Sequence, residues 1–185
     1  MLIMPDALHA LTGFQPAGLV DRSCDAADVF CPEWQAMLNA LFEKSHLADR
    51  VRLIEDFLET RWRAVPADRW RSARTYRDWA EGLAMRALMS GVGRSVRQTN
   101  RRIRSWAGLP LASLMGLSRA ERALIDAQIA HAHGRVKWAD VAVDAGYADQ
   151  SHLCREARRV TGLSPQRLLA RIESDECFWI YRLWR

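Results

Sequence analysis

The sequence of 185 residues is poor in several things, and each shortage excludes a class of protein. No apolar run approaches the roughly 20 residues of a membrane-spanning helix. The opening MLIMPDALHA has no basic stretch ahead of its apolar residues, so neither insertion nor secretion is expected and the cytoplasm is the default location. Cysteine is scarce: Cys24, Cys31, Cys154 and Cys177 show no Cys-x-x-Cys spacing, which argues against a disulfide framework. His131 and His133 stand two apart in sequence, about 200° around a helix, and so do not chelate one ion from a regular helix. No metal and no cofactor are expected. The chain also lacks the G-x-x-x-x-G-K-[ST] phosphate loop, H-E-x-x-H, G-x-S-x-G and any acid pair at a catalytic spacing. No catalytic residue is assigned, and an enzyme is not expected. Lysine is nearly missing as well, since Lys44 and Lys137 are the only two among 27 basic residues. That skew is attributed to genome base composition rather than function.

What is present is unevenly spread. The net charge of +5 hides an acidic stretch, Met1 to Thr60, with four basic and ten acidic residues; beyond it, 23 basic residues face 12 acidic ones. Such asymmetry points to one region that meets a polyanion and another with a different task. Hydrophobic residues make up 49% of the chain, enough for one or two buried cores.

Strand signals are sparse, and apolar residues recur at spacings of three and four in segments rich in Ala, Leu, Arg and Glu, so the fold class is all-α. Leu38, Leu41 and Phe42, then Val51, Ile54, Phe57 and Leu58, mark two amphipathic helices separated near Ser45 to Asp49. The first thirty residues, punctuated by Pro5, Gly13, Pro16 and Gly18, read as less regular, with room for a short strand or turn. Arg61 to Arg77, with Trp62, Pro66, Trp70 and Tyr76, reads as a basic, aromatic junction; a nucleic-acid stripe is the second reading of that segment.

The strongest organising signal is an internal repeat. Leu88 stands five before Gly93 as Val141 stands five before Gly146, and Arg101, Ile103, Gly108 and Leu109 recur 54 positions on as Arg155, Ala157, Gly162 and Leu163. Each copy spells a short helix ending at a glycine, a tight turn, and a longer helix closing at Gly108 or Gly162. That grammar is helix-turn-helix. Ser95 with Gln98 has the pattern of a capping box, and Asp149 is placed to cap the second long helix. Between the copies, Ser118-Arg119-Ala120-Glu121 reads as a further capping box opening a connector helix through Leu124, Ile125 and Ile129. Ser164-Pro165 reads as one more helix start, and the aromatic tail from Cys177 to Arg185 as a packed segment.

In the first long helix Arg97, Asn100, Arg101 and Arg104 share one face while Val96, Thr99, Ile103 and Trp106 take the other. Arginine matches guanine O6/N7 and asparagine matches adenine N6/N7, so this set suits a major groove; a solvated basic face is the plainer alternative. In the second, Ser151, Cys154, Arg155 and Arg158 line up likewise, with Gln150 and His152 at the N-terminal end and Leu153, Ala157 and Val160 turned inward. Cys154 taken alone is an ordinary helix-facing thiol.

The run from Trp138 to Pro165, WADVAVDAGYADQSHLCREARRVTGLSP, resembles the second helix-turn-helix of the AraC/XylS transcription regulators through Gly146, Tyr147, Asp149, Ser151, Arg155, Gly162, Ser164 and Pro165. The resemblance implies two helix-turn-helix subdomains joined by a connector helix, roughly Trp79 to Arg171. By position it implies DNA contacts from Ser95, Arg97, Gln98, Asn100, Arg101 and Arg104 in the first subdomain, and from Gln150, Ser151, His152, Cys154, Arg155 and Arg158 in the second. Met89, Thr99 and Ala157 depart from the family pattern, the latter two burying less apolar area than usual, by about 1 to 2 kcal/mol each. A weaker likeness, resting on the Pro-x-x-Leu-x-x-Leu-x-Gly opening at Pro5 to Gly13 and the two helices after it, links residues from about Pro5 to Arg61 to part of a bacterial regulatory domain. A sensory β-barrel needs roughly a hundred residues, more than that stretch holds.

The resulting reading divides the chain into a partial regulatory region (1–62), the junction (63–78), the DNA-binding domain (79–171) and the aromatic tail (172–185). It is a sequence-specific transcription regulator, with double-stranded DNA as partner and RNA polymerase and a second copy of the chain as further candidate partners; no effector is identified. Arg102, Arg159 and Arg167 are expected on phosphates. The competing reading is a protein-interaction module derived from such a regulator.

Overall fold

The computed structural model describes residues 3–65, 73, 75–90, 95–134 and 136–184. Ten α-helices lie among them and no strand: α1 (Pro5–Thr12), α2 (Ala26–Val29), α3 (Pro32–Glu43), α4 (Leu47–Arg63), α5 (Tyr76–Met89), α6 (Val96–Ala107), α7 (Leu111–Ala132), α8 (Trp138–Asp144), α9 (Gln150–Thr161) and α10 (Pro165–Ser174). Two 3-10 segments, Pro16–Gly18 and Glu176–Trp184, complete the set. Gly93 and residues 66–72 of the expected junction lie outside the described residues.

The chain forms two compact units, Met1–Ala73 with Glu81–Leu111, and Arg74–Ala80 with Ala112–Arg185. In the first, residues expected to be irregular form α1. Pro5 sits at its first helical position, where a missing N–H costs nothing, Asp6 lies in the first turn, and Gly13 at φ +73° ends it. This helix and the following 3-10 turn pack on α6. The two amphipathic helices anticipated downstream are α3 and α4, which form a hairpin. Trp34 and Met37 are buried on α3, Trp34 meets the edge of the Phe57 ring at 4.9 Å, and Arg61 lies 3.5 Å over that same ring while bonding Glu33 at 2.6 Å. Phe42 and Val51, expected on the packing faces, are exposed; they lie near the hairpin end, Phe42 in the last turn of α3 and Val51 in the second turn of α4.

In the second unit, Ala123 and Ala127 of α7, Val141, Ala142 and Ala145 at α8, Tyr147, Leu153 of α9 and Leu169 of α10 make one core, ringed by Leu124, Val136 and Trp138. Four of its eight buried members are alanines, Ala123, Ala127, Ala142 and Ala145. The connector does not begin at Ser118. It starts at Leu111, directly after Pro110, and Ser118 is buried within it, its hydroxyl donating to Met115 O at 2.9 Å. The apparent capping box is a mid-helix serine bonding back along its own helix. Ser164 does stand at the N-cap of α10, yet its side chain makes no cap hydrogen bond, and Pro165 is what fixes the start. The aromatic tail packs on α10, where Arg182 donates to Ile172 O at 2.6 Å and Asp175 O at 2.9 Å and so satisfies carbonyls at that helix end.

Candidate nucleic-acid interface

The repeat read in the sequence is reproduced, position by position, in α6 and α9. Both helices have 12 residues. Ser95 caps the first, Oγ accepting from Gln98 N at 3.3 Å; Asp149, 54 positions later, caps the second, accepting from His152 N at 2.7 Å. Gly108 at φ +81° and Gly162 at φ +74° close them, each N–H donating at 2.9 Å to the carbonyl of Arg104 or Arg158. The same local chemistry therefore sets the same length and phase in both. Ile103 and Ala107 are buried on the back of α6, Leu153 and Ala157 on the back of α9.

The fronts carry the basic residues. Ser95, Arg97, Gln98, Arg101 and Arg104 are exposed and Asn100 is half-buried; Gln150, Ser151, Arg155 and Arg158 are exposed, with His152 and Cys154 half-buried. Among the described residues none of Arg97, Arg101, Arg104, Arg155 and Arg158 has an ion-pair partner. α6 contains four arginines and no carboxylate. On α9 the one acid, Glu156, bonds Arg159 at 2.9 Å, and that hydrogen bond, together with nearby positive charge, holds its carboxyl below the usual range. His152 turns partly inward, its ring meeting the edge of the buried Tyr147 ring at 5.2 Å. Burial, in turn, raises the Tyr147 phenol.

Several side chains take roles other than those expected. Val96 and Val160 are exposed rather than packed although they share the faces of Ile103–Ala107 and Leu153–Ala157, Val96 being the first residue of α6 and Val160 the last but one of α9. Arg102 is half-buried and donates to Ala87 O at 3.3 Å and to Ser90 Oγ, closing the C-terminal end of α5 rather than standing free for a phosphate. Arg159 is held by Glu156. Thr99, the departure from the family pattern on α6, is half-buried with its hydroxyl satisfied by Ser95 O at 3.3 Å. A reciprocal capping box that the sequence reading passed over starts α5: Thr75 Oγ1 accepts from Asp78 N and Asp78 accepts from Thr75 N, each at 3.1 Å. Its Thr-x-x-Asp spelling was legible. Glu121 of α7 adds a further acceptor there, bonding Tyr76 N at 3.2 Å.

Among the described residues no group of three or more His, Cys, Asp and Glu side chains is placed to hold a metal, and no helix is long and apolar enough to cross a membrane. Residues 88–171, from the end of α5 into α10, match the family model of a helix-turn-helix domain. This stretch is similar to a helix-turn-helix domain. No curated protein and no solved structure gives a match to the chain. The matched stretch runs through α6 to α9 and so takes in both capped, arginine-fronted helices.

Proposed function

We propose that this chain is a sequence-specific transcription regulator in which α6 and α9 enter successive major-groove segments of one duplex, about 34 Å apart. The observation that carries the reading is the paired construction of the two helices: equal length, matching caps, and exposed arginines at corresponding positions 101/155 and 104/158. Arginine presents a planar fork to guanine, and a helix whose acids are absent or already paired presents that fork without competition. Arg97, Gln98, Asn100, Gln150, Ser151 and Cys154 complete the two reading edges, and His152 contributes at the start of α9, oriented by Tyr147. Acting on promoters, such a protein works with RNA polymerase in the cytoplasm, and a second copy is a further candidate partner.

The test is binding to a DNA site chosen by the protein from random sequence. Arg101→Ala and Arg155→Ala are each expected to weaken binding by about 1 to 3 kcal/mol and to relax preference at separate base positions. Unchanged affinity and preference in both variants contradicts the assignment.

A second reading, a protein-interaction module, draws on Met85, Leu88 and Met89, exposed together on one face of α5, and on exposed Val96. Retention on DNA in the presence of heparin separates the two: specific retention supports the regulator, none supports the module.

A further inference from the structure

The back of α6 is not covered by the helix-turn-helix alone. α1 and the 3-10 turn Pro16–Gly18 pack on it. Asp6, only 5% exposed, accepts a hydrogen bond from Arg86 Nη2 of α5 across 80 residues of sequence. The Arg86 guanidinium carbon stands 5.8 Å from the centroid of the Trp106 ring of α6. One side chain thereby links α1, α5 and α6. At the same, C-terminal end of α6 the 3-10 turn and the chain after it press on the helix stop: a Cβ at Gly108 would lie 2.9 Å from Val20 Cγ2 and 3.2 Å from Pro16 O. Segment 5–20 thus touches α6 at its C-terminal cap and reaches it through Arg86.

The physical need for such a hold is visible in α6 itself. Its buried stripe is Ile103 and Ala107, with a threonine where a larger apolar side chain would add area, and its front carries unneutralised arginines that repel one another. Removing the guanidinium beside a buried carboxylate is costly, so the Asp6–Arg86 contact is strongly position-dependent.

We propose that Asp6 and Arg86 are positioning residues for the first reading helix, so that segment 5–20 sets α6 on its half of the DNA site. This rests on the reading of α6 as a base-reading helix. The experiment uses the full chain and the DNA selected by the wild type, with backbone protection along that DNA and amide hydrogen exchange of the free protein as readouts. In Asp6→Asn, amides of α6 are expected to exchange about tenfold faster or more while those of α9 are unchanged. The variant loses protection over the segment that Arg101→Ala also loses, and keeps the segment lost by Arg155→Ala. Arg86→Gln behaves like Asp6→Asn; Arg86→Lys, which keeps the charge pair, loses less. If Asp6→Asn does not accumulate, the graded pair Arg86→Lys and Arg86→Gln carries the same comparison. Unchanged exchange in α6, equal acceleration in α6 and α9, or a lowered unfolding midpoint with the protection pattern intact overturns the proposal. A wild type that protects no defined DNA segment contradicts the base-reading function instead, and leaves the exchange comparison to decide the positioning role.

Discussion

Among single side chains, Tyr76 has surroundings that make a pH claim at the alkaline end. Burial, and then the negative charge of Glu121, push its phenol from 10.0 up to about 12. The folded state keeps the proton that the unfolded chain releases from 10.0 upward, so the stability linked to this group is complete below that pH and is lost as pH climbs towards about 12. Tyr76→Phe removes this component. Urea midpoints at pH 8.5 and pH 11 check it: the wild type is expected to lose more between the two pH values than the variant, and parallel losses contradict the assignment. Glu121 has a consequence of the same sign at lower pH. Burial raises its carboxyl although Tyr76 N stabilises the anion, so its ionised form is a cost at neutral pH that shrinks on acidification.

The helix ends are where sequence and structure agree best, and where they part. Ser95, Asp149, Gly108 and Gly162 were readable because capping and left-handed termination are local: the residue types that satisfy free N–H and C=O groups are few. Ser118 misled for the same reason, since a Ser-x-x-Glu spelling is blind to a helix already running through it from Leu111. The helix α1 carried its own signals, Pro5 at the start and Gly13 at the stop, but the packing of α1 on α6 and the Asp6–Arg86 pair join residues 80 positions apart, and no local pattern encodes that. The same non-local contact separates two otherwise equivalent glycines. Gly162 has open space where a Cβ would go, so Gly162→Ala bears only the left-handed strain, about 1 to 2 kcal/mol. Gly108→Ala adds a clash with Val20 and the Pro16 carbonyl, and is expected to be the more destabilising of the two in thermal unfolding. Adding Val20→Ala should relieve part of the difference, because the Pro16 carbonyl remains. Equal midpoints for the two single variants contradict the packing of segment 5–20 on α6.

For the whole molecule the governing quantity is charge. The excess of basic residues beyond Thr60 and the open arginines of α6 and α9 predict binding dominated by phosphate neutralisation, with log K falling by about 0.9 per phosphate contacted for each decade of salt. Arg167 is exposed on α10, outside both reading edges. Arg167→Ala is therefore expected to weaken all DNA sequences alike and to lower the salt slope by about 1, whereas Arg155→Ala changes which sequence is preferred. A sequence-selective loss in Arg167→Ala, measured by titration over a salt series, contradicts that division of labour. The same logic gives the most direct measurement of all: selection of bound DNA from random sequence by the wild type, Arg101→Ala and Arg155→Ala. The expected outcome is two blocks of preferred bases with centres about 10 base pairs apart, the first erased by Arg101→Ala and the second by Arg155→Ala. A single block, or two blocks that survive both substitutions, contradicts reading by a matched pair of helices.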